Sequence, residues 1–360
     1  MKFTFFQIAI IALQQKIKVA AADFTSIGGG ADLASVTKVD ISFDCPPQNQ
    51  NVPNTMFTIQ PSDSADVSSS PPNLVTTSVQ DGVLSLAWNA EVASTASEGG
   101  VKIGLPAASL ESVSIASQKT AQIFDGFTSL KEVEVKGQST VTATIKSSTH
   151  HTDLAVEGQS TVNIVADAVN SASVSQQSEV YLQTSSAVEE FSVANQSNLN
   201  VNGGVVTGTV TSESNLKVTG DISSSVSVTE QSSIKANTIS GAVTISSQSD
   251  ASASSCDNVS ASDQSDCSVT GPPSVNVDVS EQSLTMSGTS SCITGGGTIS
   301  FGGNTEPSVT VESSACSGND CGGGGLGACS GPDCKNSGQV STLAMAATVG
   351  ILFAAAFLSI

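Results

Sequence analysis

The chain has 360 residues, a formal net charge of −20, and a basic complement made up wholly of Lys. Nucleic acid is bound by basic, usually Arg-bearing surfaces, so this balance argues against that class of partner. Charged residues are 12% and aromatics 4% of the chain. That scarcity alone would suit disorder, but Val and Ile recur in alternation and can bury apolar area, as a polar tract cannot.

The N-terminus reads MKFTFFQIAIIALQQKIKVAAADF. Lys2, an apolar run over 3–13 and the small-residue pattern Ala20-x-Ala22 predict a secretory signal peptide over 1–22. The polar stretch 14–18 is unusual for such a signal, and an apolar helix or strand is the alternative. Removing 1–22 leaves nine Lys against 32 acids, a surface suited to a solvated exterior. Next come FTIQPSDSADVSSSPPNLVTTSVQDG (57–82), VQDGVLSLAWN (79–89) and VKIGLPAASLESVSIASQ (101–118), which read as short lead-in strands with an acid-Gly turn at Asp81-Gly82.

A repeat follows. The pair Gln-Ser occurs at Gln138-Ser139, Gln159-Ser160, Gln177-Ser178, Gln196-Ser197, Gln231-Ser232, Gln248-Ser249, 264–265 and 282–283. Glu213-Ser214 fills the one gap, and Gln118-Lys119 is a degenerate first copy. Successive spacings are 20, 21, 18, 19, 17, 18, 17, 16 and 18 residues. Val135 and Val141 flank one copy, Val156 and Val162 the next. Val133, Val135, Val141, Ala143 and Ile145 share one parity, and Glu134, Lys136, Thr140, Thr142 and Thr144 the other. That is the period of a strand with one buried and one wet face.

A unit this short cannot bury its apolar face alone, so copies must stack. The spacing predicts an all-β fold: a right-handed parallel β-helix of about ten rungs of ~18 residues, each of two or three strands. The residue before Gln is a turn former in most copies (Gly137, Gly158, Asn195), which makes the triplet a corner. Stacked corners put Ser over Ser and Gln over Gln at about 4.8 Å, where amide ladders can bond along the stack. A polar face for an extended ligand is the functional alternative.

With the repeat in view, the chain resembles the auto-transporter adhesin head GIN domain family, whose hallmark is a recurring V-x-G-S-G-x-V unit. Gly137-Gln138-Ser139 and Gly158-Gln159-Ser160 occupy the G-S-G position, with Ser for the second Gly. Most later copies lose the first Gly too. The lead-in segments are similar to that family's opening strands, and the resemblance covers roughly 38–300. It implies a β-helical fold and, by analogy, adhesion; it supplies no catalytic residues.

Little else in the chain points to chemistry. The histidines His150 and His151 lie in SSTHHT between two rungs, with no acid or thiol partner at recognisable spacing. No G-x-S-x-G elbow, phosphate loop or H-E-x-x-H occurs. Asp250, Asp263 and Asp266 could attract calcium, but their spacing fits no standard loop. Thr140 and Thr161 are not continued as Thr, which leans against an ice-binding column. The expectation is no catalytic residue, no metal site and no cofactor, with calcium the one weak possibility. Asn195 and Asn258 stand in N-x-S sequons and become N-glycosylation acceptors on secretion.

Eight cysteines, Cys45, Cys256, Cys267, Cys292, Cys316, Cys321, Cys329 and Cys334, imply disulfides in a secreted chain. CSGNDC (316–321) and CSGPDC (329–334) repeat around a Gly-rich linker and suit two small disulfide loops, with zinc as the rival. The chain ends in an apolar tail over 343–360, preceded by Asn336, Ser337 and Gly338. That is the layout of a GPI-attachment signal, with Asn336 the expected attachment residue. The polar spacer is short, and a tail-anchored span is the alternative.

The organisation expected is a signal peptide (1–22), a β-helix domain (38–311, repeats 113–290), a Cys/Gly stalk (312–336) and a removed tail (337–360). The function expected is structural or adhesive, on the outer face of the plasma membrane, against glycans, matrix or other cells. A carbohydrate-active β-helix enzyme is the alternative.

Overall fold

A computed structural model describes residues 24–29, 31–42 and 54–262, followed by the strands Asp266–Val269, Asn276–Ser280, Leu284–Gly288, Ser300–Gly302 and Val309–Ser313. The fold is all-β, a stack of parallel strands in two long sheets of 13 and 14 strands, here called A and B. From residue 112 on, each coil lays one strand in B and the next in A: Ser112–Ile115 then Thr120–Ile123, Glu132–Val135 then Thr140–Ile145, Thr152–Val156 then Thr161–Ala166. The same alternation runs on to Ser255–Ser262 and Asp266–Val269, nine coils to that point. Two strands and two corners use up a coil of about 18 residues, so there is no third strand.

Alternation sets the interior. Thr140–Ile145 buries Val141, Ala143 and Ile145 and leaves Thr140 exposed. Strands stack in register, with Val133 beside Val113 and Leu154, and Val141 beside Ala121 and Val162. Identical parity in every coil therefore turns a weak local pattern into continuous apolar columns. One column in sheet B runs Leu154, Ala172, Phe191, Gly208, Val226. Bulk is compensated between coils: Phe191 sits between a small side chain and none. A Cβ on Gly208 would lie 2.1 Å from the Phe191 carbonyl oxygen and 2.6 Å from its ring.

The lead-in segments are not a separate unit. Lys38–Ile41 lies in sheet B between Ser112–Ile115 and Val83–Trp88. Asn54–Pro61 lies in sheet A between Thr120–Ile123 and Glu98–Leu105. They close the open end of the stack, which would otherwise expose the apolar interior of the first coil. Antiparallel strands finish both edges: Asp66–Ser70 on Glu98–Leu105 with Thr25–Gly29 outermost, and the hairpin Val75–Gln80/Val83–Trp88. The hairpin turns at Asp81 (φ 53°) and Gly82 (φ 77°), the left-handed pair that a two-residue hairpin prefers. Inside the cap, the Trp88 and Phe57 rings meet at 6.3 Å. Lys119 takes the first corner position where later coils carry Ser; it is buried, its ammonium 5.3 Å from the Trp88 ring centre.

Candidate functional site: the repeat corner and the outward faces

Among the described residues the corner from sheet B to sheet A is built the same way eight times. In each, the residue before Gln and the Gln itself both adopt left-handed backbone: Ser117/Gln118, Gly137/Gln138, Gly158/Gln159, Gln176/Gln177, Asn195/Gln196, Ser212/Glu213, Glu230/Gln231 and Ser247/Gln248, with φ between 56° and 73°. Two such residues in succession reverse the chain within one step. Only two corners use Gly, so the rest bear a cost of about 1 kcal/mol or more per residue. Three threads of hydrogen bonds along the stack offset it.

The first thread is backbone. The Gln N–H donates to the carbonyl of the preceding residue one coil on: Gln138 to Gly158 at 2.6 Å, Gln159 to Gln176 at 2.8 Å, Gln177 to Asn195 at 2.9 Å. The second is serine. Ser139, Ser160, Ser178, Ser197, Ser214, Ser232 and Ser249 are fully buried, as their shared parity with the flanking Val predicts. Each Ser N–H donates to the hydroxyl oxygen of the next: Ser139 to Ser160 at 3.2 Å, Ser160 to Ser178 at 3.3 Å, and so on to Ser232 and Ser249 at 3.1 Å. The hydroxyls of Ser139 and Ser160 also donate back to the carbonyls of Lys136 and Glu157, both at 2.7 Å, closing the turn.

The third thread is the exposed amide ladder. Nε2 of Gln118, Gln138, Gln159 and Gln177 donates to Oε1 of the next Gln at 2.7–2.9 Å. Gln196 donates to Glu213 Oε2 at 2.9 Å. A carboxylate has no proton to pass on, so the ladder stops there and restarts from Gln231 to Gln248 at 3.0 Å. Restoring the amide should mend it: Glu213→Gln is expected to raise unfolding stability by about 0.5–1 kcal/mol, one solvent-exposed hydrogen bond. Urea denaturation of both forms measures the gain, and an unchanged midpoint would show that water already serves this gap.

The outward faces differ in chemistry. Sheet B presents Glu132, Glu134, Asp153 and Glu190 among Ser and Thr. Its acids are largely engaged: Ser112 and Ser114 donate to Glu132 and Glu134 at 2.8 and 2.9 Å, and Asn170 and Ser171 donate to Asp153 at 2.8 and 2.7 Å. Lys136, 2.5 Å from Glu134, holds that carboxyl below its ordinary range. Sheet A presents amides, with Asn163, Asn200 and Lys217 in register on either side of Tyr181's row. Tyr181 donates its hydroxyl to Glu179 Oε1 at 2.5 Å.

That bond pushes the Tyr181 phenol up from 10.0 to about 12, with burial adding to it. The folded value lies above the unfolded one. The contribution is therefore fully present below pH 10 and is lost as pH rises toward 12. Tyr181 is the sole tyrosine, so phenolate absorbance reads it directly. Glu179→Gln should bring the titration back toward the ordinary tyrosine range.

His150 and His151 are both exposed in the loop between two coils; the His150 N–H donates to the Ser148 hydroxyl at 3.2 Å. Among the described residues no three His, Cys, Asp or Glu converge as a metal site would need. Asp250 is exposed on sheet A in register with Asp266. Asn195 is exposed at its corner, where a glycan would meet solvent. Cys256 and Cys267 fall in register beside Ile239 and Ala251. The side chains of Cys256, Cys267 and Asn258, and the whole of Cys45, Asp263, Cys292, Cys316, Cys321, Cys329, Cys334 and Asn336, lie outside the described residues.

Sequence reasoning missed the opposite corner, from sheet A back to B. There Gly203, Gly204 and Gly220 floor a trough of about 540 Å³ whose walls include Gln183, Thr184, Asn202, Thr219 and Asp221. Hydrogen bonds from Thr238 and Asn237 hold the Asp221 carboxyl below its usual range. The Gly-Gly pair at 203–204 was the available signal, but it reads equally well as a plain turn.

No family model matches the chain. No curated protein matches it either. Among solved structures, it is similar to a protein of Bacteroides fragilis described as "a putative adhesin", at 14% identity and a TM-score of 0.24, over 72% of this chain and 91% of that one.

Proposed function

We propose that this is a secreted, GPI-anchored protein of the outer plasma-membrane face, working as a rigid structural or adhesive display rather than an enzyme. One observation carries the reading. Parallel strand ladders join nine coils and hydrogen-bond threads run along the eight described corners, so the coils form a stiff body about 40 Å long with a repeating polar surface. A surface of this kind can meet glycans, matrix or other cells at several coils at once, which multiplies weak contacts. The Cys/Gly stalk would hold the solenoid off the bilayer, with lipid attached at Asn336. Among the described residues no helix is long and apolar enough to cross a membrane. The acidic surface speaks against nucleic acid as partner.

Two measurements test it on the full chain displayed by a eukaryotic cell. Phosphatidylinositol-specific phospholipase should release the protein into the medium, and displaying cells should adhere to matrix or to one another more than non-displaying cells do. Retention after the enzyme overturns the anchor, and equal adhesion overturns the role. Turnover of an oligosaccharide by the released protein would replace the display reading with the carbohydrate-active one.

A further inference from the structure

We propose that the outward face of sheet A over Glu179–Thr184, Asn198–Asn202 and Asn215–Val218, with the glycine-floored trough at its rim, is a binding site for neutral saccharide. The proposal rests on the adhesive reading above and gives it a location and a ligand class.

Register assembles the face. Tyr181 lies beside Asn163 and Asn200, and Gln183 beside Asn202, all pointing away from the core. The Tyr181 ring is half-buried and its hydroxyl is tied to Glu179, so an aromatic surface is held still before any ligand arrives. Pyranose rings offer a C–H face for such a surface and a rim of hydroxyls that both donate and accept.

The amides divide into two groups. Asn198 and Asn215 bond to each other at 3.0 Å, and Asn202 accepts from Thr219 at 3.0 Å. Gln183 and Asn200 make no side-chain hydrogen bond among the described residues. Each therefore keeps two N–H donors and a carbonyl oxygen open next to the ring. The trough continues this set. Its volume of about 540 Å³ falls within the roughly 300–1,000 Å³ of small-molecule sites. The Thr184 hydroxyl oxygen is buried there with no partner among the described residues, a cost that a ligand hydroxyl would relieve. Asp221, kept ionised, adds a strong acceptor.

Charge selects among saccharides. The strands and trough named here carry Glu179 and Asp221, and Lys217 stands in register with Lys235 on the same sheet, while the whole chain stands at −20. An anionic glycan is repelled by that field, whereas a neutral one is not. On sheet B, Glu132, Glu134 and Asp153 are taken up by neighbouring Ser and Asn, whereas Gln183 and Asn200 on sheet A keep their amides open beside the ring.

The test uses the full chain on an array of neutral oligomers of glucose, galactose, mannose and N-acetylglucosamine beside acidic glycans, followed by calorimetric titration of the best neutral oligomer. Tyr181→Ala and Asn200→Ala should each weaken binding at least about tenfold, as loss of a central contact does. Glu190→Gln, on sheet B, should leave it unchanged. If Tyr181→Ala melts early, Asn200→Ala and Gln183→Ala decide, since neither side chain belongs to the core. No neutral oligomer titrating, only acidic glycans binding, or affinity surviving Asn200→Ala and Gln183→Ala would each overturn the site. Adhesion of displaying cells without saccharide binding would sink this site and leave the adhesive role; saccharide binding without adhesion would do the reverse.

Discussion

Phe191→Ala is expected to cost about 3–5 kcal/mol of unfolding stability, the usual range for emptying a buried aromatic position. The ring is 1% exposed and is the only large side chain for three coils of its column, between Ala172 and Gly208. Neither neighbour can swell to fill the space, and the parallel ladders on both sides hold the strands at fixed spacing. Adding bulk from the other direction should also hurt. Gly208→Ala puts a methyl 2.1 Å from the Phe191 carbonyl oxygen and 2.6 Å from the ring, so it should cost about 1–3 kcal/mol through backbone displacement. Together the two changes should cost less than their sum, because the ring contact is removed while the carbonyl contact stays. Far-ultraviolet circular dichroism in urea reports the whole solenoid, and Trp88, the sole tryptophan, reports the cap. The far-ultraviolet transition should move first if the coils uncouple from the cap. A cost under about 1 kcal/mol for Phe191→Ala would mean that the column is not packed as described.

How far such features could be read beforehand depended on whether they repeat. Parity along 133–145 sorts Val133, Val135, Val141 and Ile145 inward, and the Gln-Ser spacing marks each coil, because both are properties of every copy. Burial of Ser139 with exposure of Gln138 follows from the same parity. The paired left-handed residues were hidden. Gln177 and Glu230 are not types that seek positive φ, and they tolerate it only because the next coil supplies hydrogen bonds, a cause that acts across about 18 residues rather than locally. The cap was legible as strands but not as part of the two sheets, since Lys38–Ile41 meets Ser112–Ile115 through a pairing that no period announces. The Phe191–Gly208 compensation becomes visible only once register is known. The trough at Gly203 lies beside a corner longer than its own, Leu182 to Val188 against Val201 to Val205 in the paired strands, a difference in insertion that carries no motif.

Ser160→Ala, which deletes a single oxygen, is expected to cost about 2–4 kcal/mol and to outweigh the loss of its conspicuous neighbour Gln159. The Ser160 hydroxyl accepts the Ser139 N–H from the coil before at 3.2 Å and donates to Glu157 O within its own corner at 2.7 Å. It is fully buried, so water cannot replace it without opening the corner. Alanine leaves a backbone donor unmet, at about 1–3 kcal/mol, and releases the bond that braces two left-handed residues. Gln159 also makes two hydrogen bonds, from Gln138 at 2.8 Å and to Gln177 at 2.7 Å, but it is exposed. Water takes over both partners, so Gln159→Ala should cost under about 1 kcal/mol. The two variants remove equal numbers of hydrogen bonds at adjacent positions of one coil, and urea midpoints compare them directly. A larger loss for Ser160→Ala assigns the conformational hold of the corner to the buried serine thread and leaves the outer amides free to vary, as Glu213 already does. Equal losses would place the amide ladder among the determinants of the fold, and the substitution at Glu213 would then mark a weak coil in the middle of the stack.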